Sequence, residues 1–270
     1  MSLQNIFSKR NRILLRELVV TDFKLRYQGS VLGYFWSILK PLVMFSVLYV
    51  VFAVILQIGR GIEHFPVYLL LGVVLWSFFA EATNQGRAAI VSRGSLIRKI
   101  NFPKYIIVIS GTISALINLF ISLGVVFIFV LVNDVPITSA VLLLPLLIIE
   151  LYIFALAVAF FLSAANVKFR DVGHLWDIFL QAAFYATPII YPLNLVLERS
   201  ETVANILLMN PMAQIIQDAR YLVVNPDQTL TVSNTLGVQF MIIPLGIIVV
   251  MALFATYYFK SKSKYFAEDI

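Results

Sequence analysis

Two carboxylates, Glu81 and Glu150, fall inside long apolar runs, where an ionised group is expensive and therefore a candidate for function. Proton relay is the chemistry such groups offer. It asks for a basic partner on a neighbouring run, and the sequence supplies none. Glu81 lies close enough to a basic stretch to meet water or to pair with Arg87. For Glu150 the expectation is a protonated side chain, or a bond across helices to Asn118. Asp171 and Asp177 stand six residues apart with no third acid beside them, and His64 and His174 are too few for a histidine metal centre. A phosphate loop of the G-x-x-x-x-G-K-[ST] type is missing, as are H-E-x-x-H and G-x-S-x-G. ATP hydrolysis by this chain alone is therefore not expected. Without cysteine there is no disulfide or thiol chemistry.

The conspicuous supply is aromatic, with 22 Phe, 12 Tyr and 3 Trp. Tyr34, Phe35 and Trp36 open the first apolar run, and Phe45, Tyr49 and Phe52 continue along it. Phe184 and Tyr185 belong to a later one. Two readings stand: packing against lipid with belts at the interfaces, or rings that line a channel and stack on the C–H faces of sugars.

The elements that carry these residues follow from hydropathy. The 270 residues are 61% hydrophobic and 13% charged, with mean hydropathy +0.93, a composition that excludes an ordinary water-soluble domain. Continuous rather than alternating apolar runs exclude a β-barrel. The expectation is an all-α integral membrane protein with six crossings at 35–56, 66–82, 105–132, 141–165, 175–191 and 238–259. Placing both termini in the cytoplasm puts all but three of the 20 Lys and Arg on the inner side; the exceptions are Arg60, Arg199 and Arg220. The net charge of +6 thus tracks membrane sidedness and not nucleic acid. The first apolar run follows a charged segment of roughly 30 residues, so no cleavable leader is expected. Residues 5–27 read as an amphipathic helix in the membrane interface, or as a packed cytoplasmic helix, with Leu14, Leu15, Leu18, Val19 and Phe23 opposite Lys9, Arg12 and Arg16. The domain plan is an interfacial segment at 1–34, a membrane domain at 35–259 and a tail at 260–270. Within it, 85–104 forms a short basic inner loop. Residues 193–236 form the one sizeable outer segment, holding short helices at 203–209 and 212–224 that do not cross.

Five stretches carry a family resemblance: DFKLRYQGSVLGYFWS at 22–37, NFPK at 101–104, NVKFRD at 166–171, ATPIIY at 186–191 and NPM at 210–212. In this order and spacing the chain resembles ABC-2-type permeases that export polysaccharides, among them O-antigen, capsule and teichoic-acid transporters, and is most similar to the O-antigen subgroup. The resemblance implies a homodimer in the cell inner membrane, bound to two copies of a separate nucleotide-binding ATPase subunit that holds ATP and Mg. The chain itself then needs no cofactor. It also implies that the loop 85–104 docks on that ATPase, with Arg87, Arg93, Arg98 and Lys99 as its basic contacts. Residues 203–224 become outer gate helices. The substrate implied is a glycan on a polyprenyl diphosphate, whose anion Lys24, Arg26 and Lys40 attract or beside which they simply anchor the chain. Sugar hydroxyls do not give up water to cross hydrocarbon unaided, so the aromatic positions Tyr34, Phe35, Trp36, Phe45, Tyr49, Phe52, Phe184 and Tyr185 become tunnel candidates. An ABC-2-type drug or lipid exporter, or a membrane glycosyl- or phosphotransferase acting on polyprenyl carriers, are the alternatives.

Overall fold

The computed structural model describes residues 8–100 and 102–269, without the side chains of Leu25, Arg26, Tyr27 and Tyr34. The start of the amphipathic helix at Asn5, the Asn101 of NFPK, and the side chains of Arg26 and Tyr34 lie outside the described residues. The described chain is helical, with no strand among the described residues. Helix α1 is Lys9–Tyr27 and α2 is Trp36–Leu48, continued by a wider-wound π-helical turn at Tyr49–Ile55. Then follow α3 (Phe65–Ser92), α4 (Gly94–Lys99), α5 (Tyr105–Val132), α6 (Leu144–Lys168) and α7 (Val172–Ala186). The outer segment holds α8 (Leu193–Leu197), α9 (Glu201–Leu208), α10 (Pro211–Val223) and α11 (Val232–Thr235). The chain closes with α12 (Ile242–Lys262) and α13 (Phe266–Asp269).

Among the described residues, five stretches are long and apolar enough to cross a bilayer: Trp36–Ile55, Phe65–Ser92, Tyr105–Val132, Ser139–Lys168 and Val238–Lys262. The expected crossing at 175–191 is represented by the 15-residue α7, about 22 Å of helix against a hydrocarbon core of about 30 Å. Pro188 explains the stop. A residue before proline is driven out of helical geometry, and Thr187 is extended, with φ −88° and ψ 140°.

Helix α3 is the axis of the fold. In it 78% of the apolar window is buried, against 11% in Trp36–Ile55, and it packs chiefly on α5 and α6 while α12 lies outside on α6. The approach to α6 is close because Gly86 faces Ala159: a Cβ added at Gly86 would sit 2.3 Å from the Ala159 Cβ. The helix also runs ten residues past the expected end at 82. Asn84, Gln85 and Arg87 read as loop residues in the sequence, yet they continue α3 to Ser92 before the chain turns at Arg93 into α4.

Helix α1 keeps the expected faces. Leu14, Leu15, Leu18, Val19 and Phe23 are half-buried while Lys9, Arg12, Arg16 and Lys24 are exposed. The apolar face lies along α5, and Leu14 and Leu18 pack with the cluster of Phe102, Ile107 and Val108.

Overpacking the α3–α6 contact tests this arrangement. Gly86→Ala is expected to cost about 1–3 kcal/mol and lower the melting temperature of purified protein by several degrees. Gly124→Ala, whose added Cβ meets nothing within 4 Å, is expected to leave it unchanged.

Candidate functional site

The aromatic candidates fall into two groups that the fold keeps apart. On α2, Phe45 is buried and meets Phe129 of α5 edge-on at 5.4 Å, with Tyr49 tilted on it at 5.6 Å. Tyr49 and Phe52 are half-buried on the π-helical turn, whereas Phe35 and Trp36 below them are exposed. The second group surrounds α7. Phe184 is buried against Trp76 of α3 at 6.0 Å, and Trp76 leads on to Phe79, Phe154 and Trp176. Tyr185, adjacent to Phe184, is 62% exposed. Phe45 and Phe184 are thus committed to packing, while Phe35, Trp36 and Tyr185 present free ring faces.

Between the helices runs a polar chain. Ser37 donates to Asn118 Oδ1 (3.1 Å), and Asn118 Nδ2 donates to Glu81 Oε1 (2.7 Å), which also accepts from Gln85 Nε2 (2.8 Å). One carboxylate therefore ties α2, α3 and α5 together, meeting the cost of burial with hydrogen bonds. This corrects both sequence expectations: Asn118 serves Glu81 and not Glu150, and Arg87 pairs with Asp177 on α7 at 3.7 Å instead of with Glu81. Gly173 leaves the space for that pair, since a Cβ there would lie 2.1 Å from Arg87 Nη1. Glu150 instead faces Gln214 and Asp218 of α10. Gln214 Nε2 donates to Asp218 Oδ2 at 2.7 Å, and burial pushes the Asp218 carboxyl up.

The four basic residues expected to dock on the ATPase divide by role. Arg87 is taken by Asp177, and Arg93 forms an ion pair with Asp22 of α1. Asp22 also accepts from Ser110 of α5 at 3.2 Å. Burial lowers the Arg93 pKa. This pair, separated by 71 residues, fastens α1 to the base of α3 and was not visible in the sequence. Arg98 and Lys99 are the exposed ones, on the last turn of α4, where their charge complements the helix end. Lys24 on α1 and Lys40 on α2 are also exposed.

The outer side is organised by a residue of the expected short helix 212–224 to which the sequence assigned no role. Arg220 of α10 has no exposed surface. Its Nη1 donates to Pro188 O (2.6 Å) and Gln217 Oε1 (2.9 Å), its Nη2 to Ile189 O (2.6 Å), and its Nε to Tyr68 O (3.1 Å). The guanidinium also lies 3.5 Å from the centre of the Tyr68 ring, a cation–π geometry. Gly72 makes room for it: a Cβ there would fall 2.6 Å from Nη2. Burial pulls the Arg220 pKa down to about 10, which leaves it cationic at neutral pH. Asn210 starts α10 by accepting from the Met212 N–H at 3.0 Å, with Pro211 in the first turn. The NPM stretch thus starts the helix whose Arg220 reaches back to the ATPIIY carbonyls and to α3.

Residues 13–224, from α1 through α10, match the sequence pattern of the family described as ABC-2 type transporter. The chain belongs to this family. It is 32% identical over 204 residues to the O-antigen export system permease protein RfbA of Myxococcus xanthus, across 76% of this chain and 77% of that protein. Similarity to the protein of that name in Klebsiella pneumoniae is 29% over 213 residues, covering 78% and 80%. The matched stretch of this ABC-2 chain includes the Arg93–Asp22 pair, α4 and the Arg220 cluster, whereas α12 and α13 lie beyond it.

Removing the buried guanidinium would leave the Pro188 and Ile189 carbonyls without its donors. Arg220→Ala is expected to cost several kcal/mol, at about 1–3 kcal/mol for each orphaned buried group. The measurement is a drop in melting temperature together with new protease cleavage within 187–224. Arg220→Lys, which cannot reach all four acceptors in one plane, is expected to rescue only part of the loss.

Proposed function

We propose that this chain is the permease subunit of an ABC transporter that exports O-antigen, as a glycan on a polyprenyl diphosphate, across the inner membrane. The observation that carries this reading is agreement along three quarters of the chain with permeases named for O-antigen export. Two copies enclose the path. The thinly buried α2, with Val43, Met44, Val47 and Val50 exposed, supplies apolar surface that needs lipid or a second copy as neighbour. The distribution of Lys and Arg supports six crossings with both termini inside; α7, the irregular stretch behind it and α8 together make the sixth.

The force comes from a separate ATPase subunit, which binds ATP and Mg. Helix α4 is its docking element, with Arg98 and Lys99 as the free contacts, while Arg87 and Arg93 hold α4 in place from within. Closure of the ATPase pair pushes α4, and α3, rigid over its 28 residues, passes the displacement toward the Tyr68–Arg220 contact and the outer helices. Phe35, Trp36, Tyr49, Phe52 and Tyr185 offer ring faces to passing sugars without fixing a particular one. Lys24, Arg26 and Lys40 attract the diphosphate at the inner headgroup level.

Charge reversal separates docking from folding. Arg98→Glu with Lys99→Glu is expected to weaken ATPase binding by roughly ten-fold or more, read by co-purification and ATPase stimulation, with melting temperature unchanged. Asp22→Asn should instead lower the melting temperature. Normal co-purification of the doubly reversed variant would reject α4 as the docking element. Trp36→Ala with Tyr49→Ala is expected to slow glycan export while leaving the complex assembled; export at the normal rate would assign those rings to packing alone.

A further inference from the structure

The inner ends of α6, α12 and α13 enclose a hollow of about 200 Å³ beside α4, on which α13 packs, and none of its lining residues is among the tunnel or docking positions named above. Lys168 comes from α6, Tyr258 and Lys262 from α12, and Tyr265, Phe266 and Asp269 complete the wall. Phe266, 1% exposed and edge-on to Phe259 at 5.4 Å, pins α13 in place. The wall is therefore held by packing, although the hollow itself is open to the surface.

Two cations converge here without an acidic partner. Neither Lys168 nor Lys262 lies within 4.0 Å of a carboxylate among the described residues. Their contacts are rings instead: Lys168 Nζ stands 5.4 Å from the Phe169 centroid and Lys262 Nζ 6.0 Å from that of Tyr258. Lysines at helix C-termini often serve only to offset free carbonyls, but other groups do part of that work here. Lys104 Nζ donates to Ser263 O at 2.9 Å, the Ser263 N–H closes on Phe259 O at 2.8 Å, and the Phe169 N–H closes on Ala165 O at 2.9 Å. The hydroxyls of Tyr258 and Tyr265 make no hydrogen bond to another described residue, so both are available as donors.

Charge and size narrow the ligand. Two ammonium groups against the single Asp269 carboxylate leave one net positive charge, which a monoanion neutralises and a dianion overshoots. A phosphodiester carries that single charge and offers two free oxygens to the two lysines. The volume corresponds to roughly seven waters at about 30 Å³ each, enough for a phosphate and the start of its headgroup. Anionic lipid is abundant at the inner membrane surface, where basic residues gather for it. The exposed Tyr265 ring suits that boundary.

We propose that this hollow binds the phosphodiester headgroup of one anionic inner-leaflet lipid. Lys168 lies within residues 13–224 while the α12 and α13 walls lie beyond them, and lipid binding here is independent of which solute the permease moves.

The test is thermal unfolding of the full-length protein in detergent, titrated with phosphatidylglycerol, with phosphatidylcholine and with soluble glycerophosphoglycerol, the phosphodiester headgroup without its acyl chains. Phosphatidylglycerol is expected to raise the melting temperature saturably and phosphatidylcholine not to. Lys168→Ala with Lys262→Ala should weaken the apparent affinity roughly ten-fold or more, and Lys168→Arg with Lys262→Arg should preserve it. An undiminished response in the double alanine variant, or an equal response to phosphatidylcholine, overturns the site. A full response to glycerophosphoglycerol alone overturns the lipid as its source. Should the alanine variant be too unstable to melt cleanly, native mass spectrometry counts the phosphatidylglycerol each variant retains. Lipid lost from the alanine variant and kept by the arginine variant supports the site, and equal retention by both overturns it. None of these readouts requires the ATPase or a glycan, so their failure is distinguishable from failure of the export reading.

Discussion

Backbone without regular hydrogen bonding survives next to a bilayer only where protein satisfies it, and in this chain that duty falls largely on Arg220. Pro188 ends α7 early and leaves the carbonyls of Pro188 and Ile189 in a buried stretch, with Ile189 and Ile190 packed in the core. One planar guanidinium answers both, and adds bonds to Tyr68 O and Gln217 Oε1. A lysine, with donors around one point, does not reproduce that fork. The charge has no carboxylate facing it among the described residues. Its burial is offset by four hydrogen bonds and the Tyr68 ring, and it needs Gly72 to fit at all.

From this contact α3 extends inward as a single buried helix to Ser92. Its middle is tied sideways by Glu81, Asn118 and Ser37, and its base by the Arg87–Asp177 and Arg93–Asp22 pairs. Charged groups thus sit at both ends and one carboxylate in the middle, with apolar packing and small residues such as Gly86 between them. One continuous helix of 28 residues thus links the inner and outer polar contacts of the fold. The peripheral helices α2 and α12, thinly buried within one chain, are the parts left to meet lipid or a second copy.

The class of this protein and five of its crossings were legible because continuous apolar runs admit few alternatives. The amphipathic face of α1 was legible for a similar reason, since Leu14, Leu18 and Phe23 fall on one side at helical spacing. The end of α3 was misread at 82 because Asn84, Gln85 and Arg87 look like loop residues; Arg87, like Glu81 before it, in fact meets a helix brought up from elsewhere in the chain. The same limit hid Asp22 from Arg93 and Pro188 from Arg220: local pattern carries no information about which polar group will stand opposite another. Family resemblance marked ATPIIY without revealing that Arg220, on the helix that NPM starts, binds its carbonyls. The aromatic positions were identified by type, but which rings pack and which stay free, as with Phe184 beside Tyr185, depended on neighbouring helices.

Reconstitution into proteoliposomes puts the export reading at greatest risk. Lipid-linked O-antigen is loaded on the ATPase-facing leaflet, and its appearance on the other leaflet is followed with the chain alone, and with the chain plus its ATPase and ATP. Movement is expected only when ATPase and ATP are both present, with the isolated chain at the level of empty liposomes. Equal movement by the chain alone, or none with the complete complex, would contradict the assignment of this ABC-2 protein as an ATP-driven glycan permease.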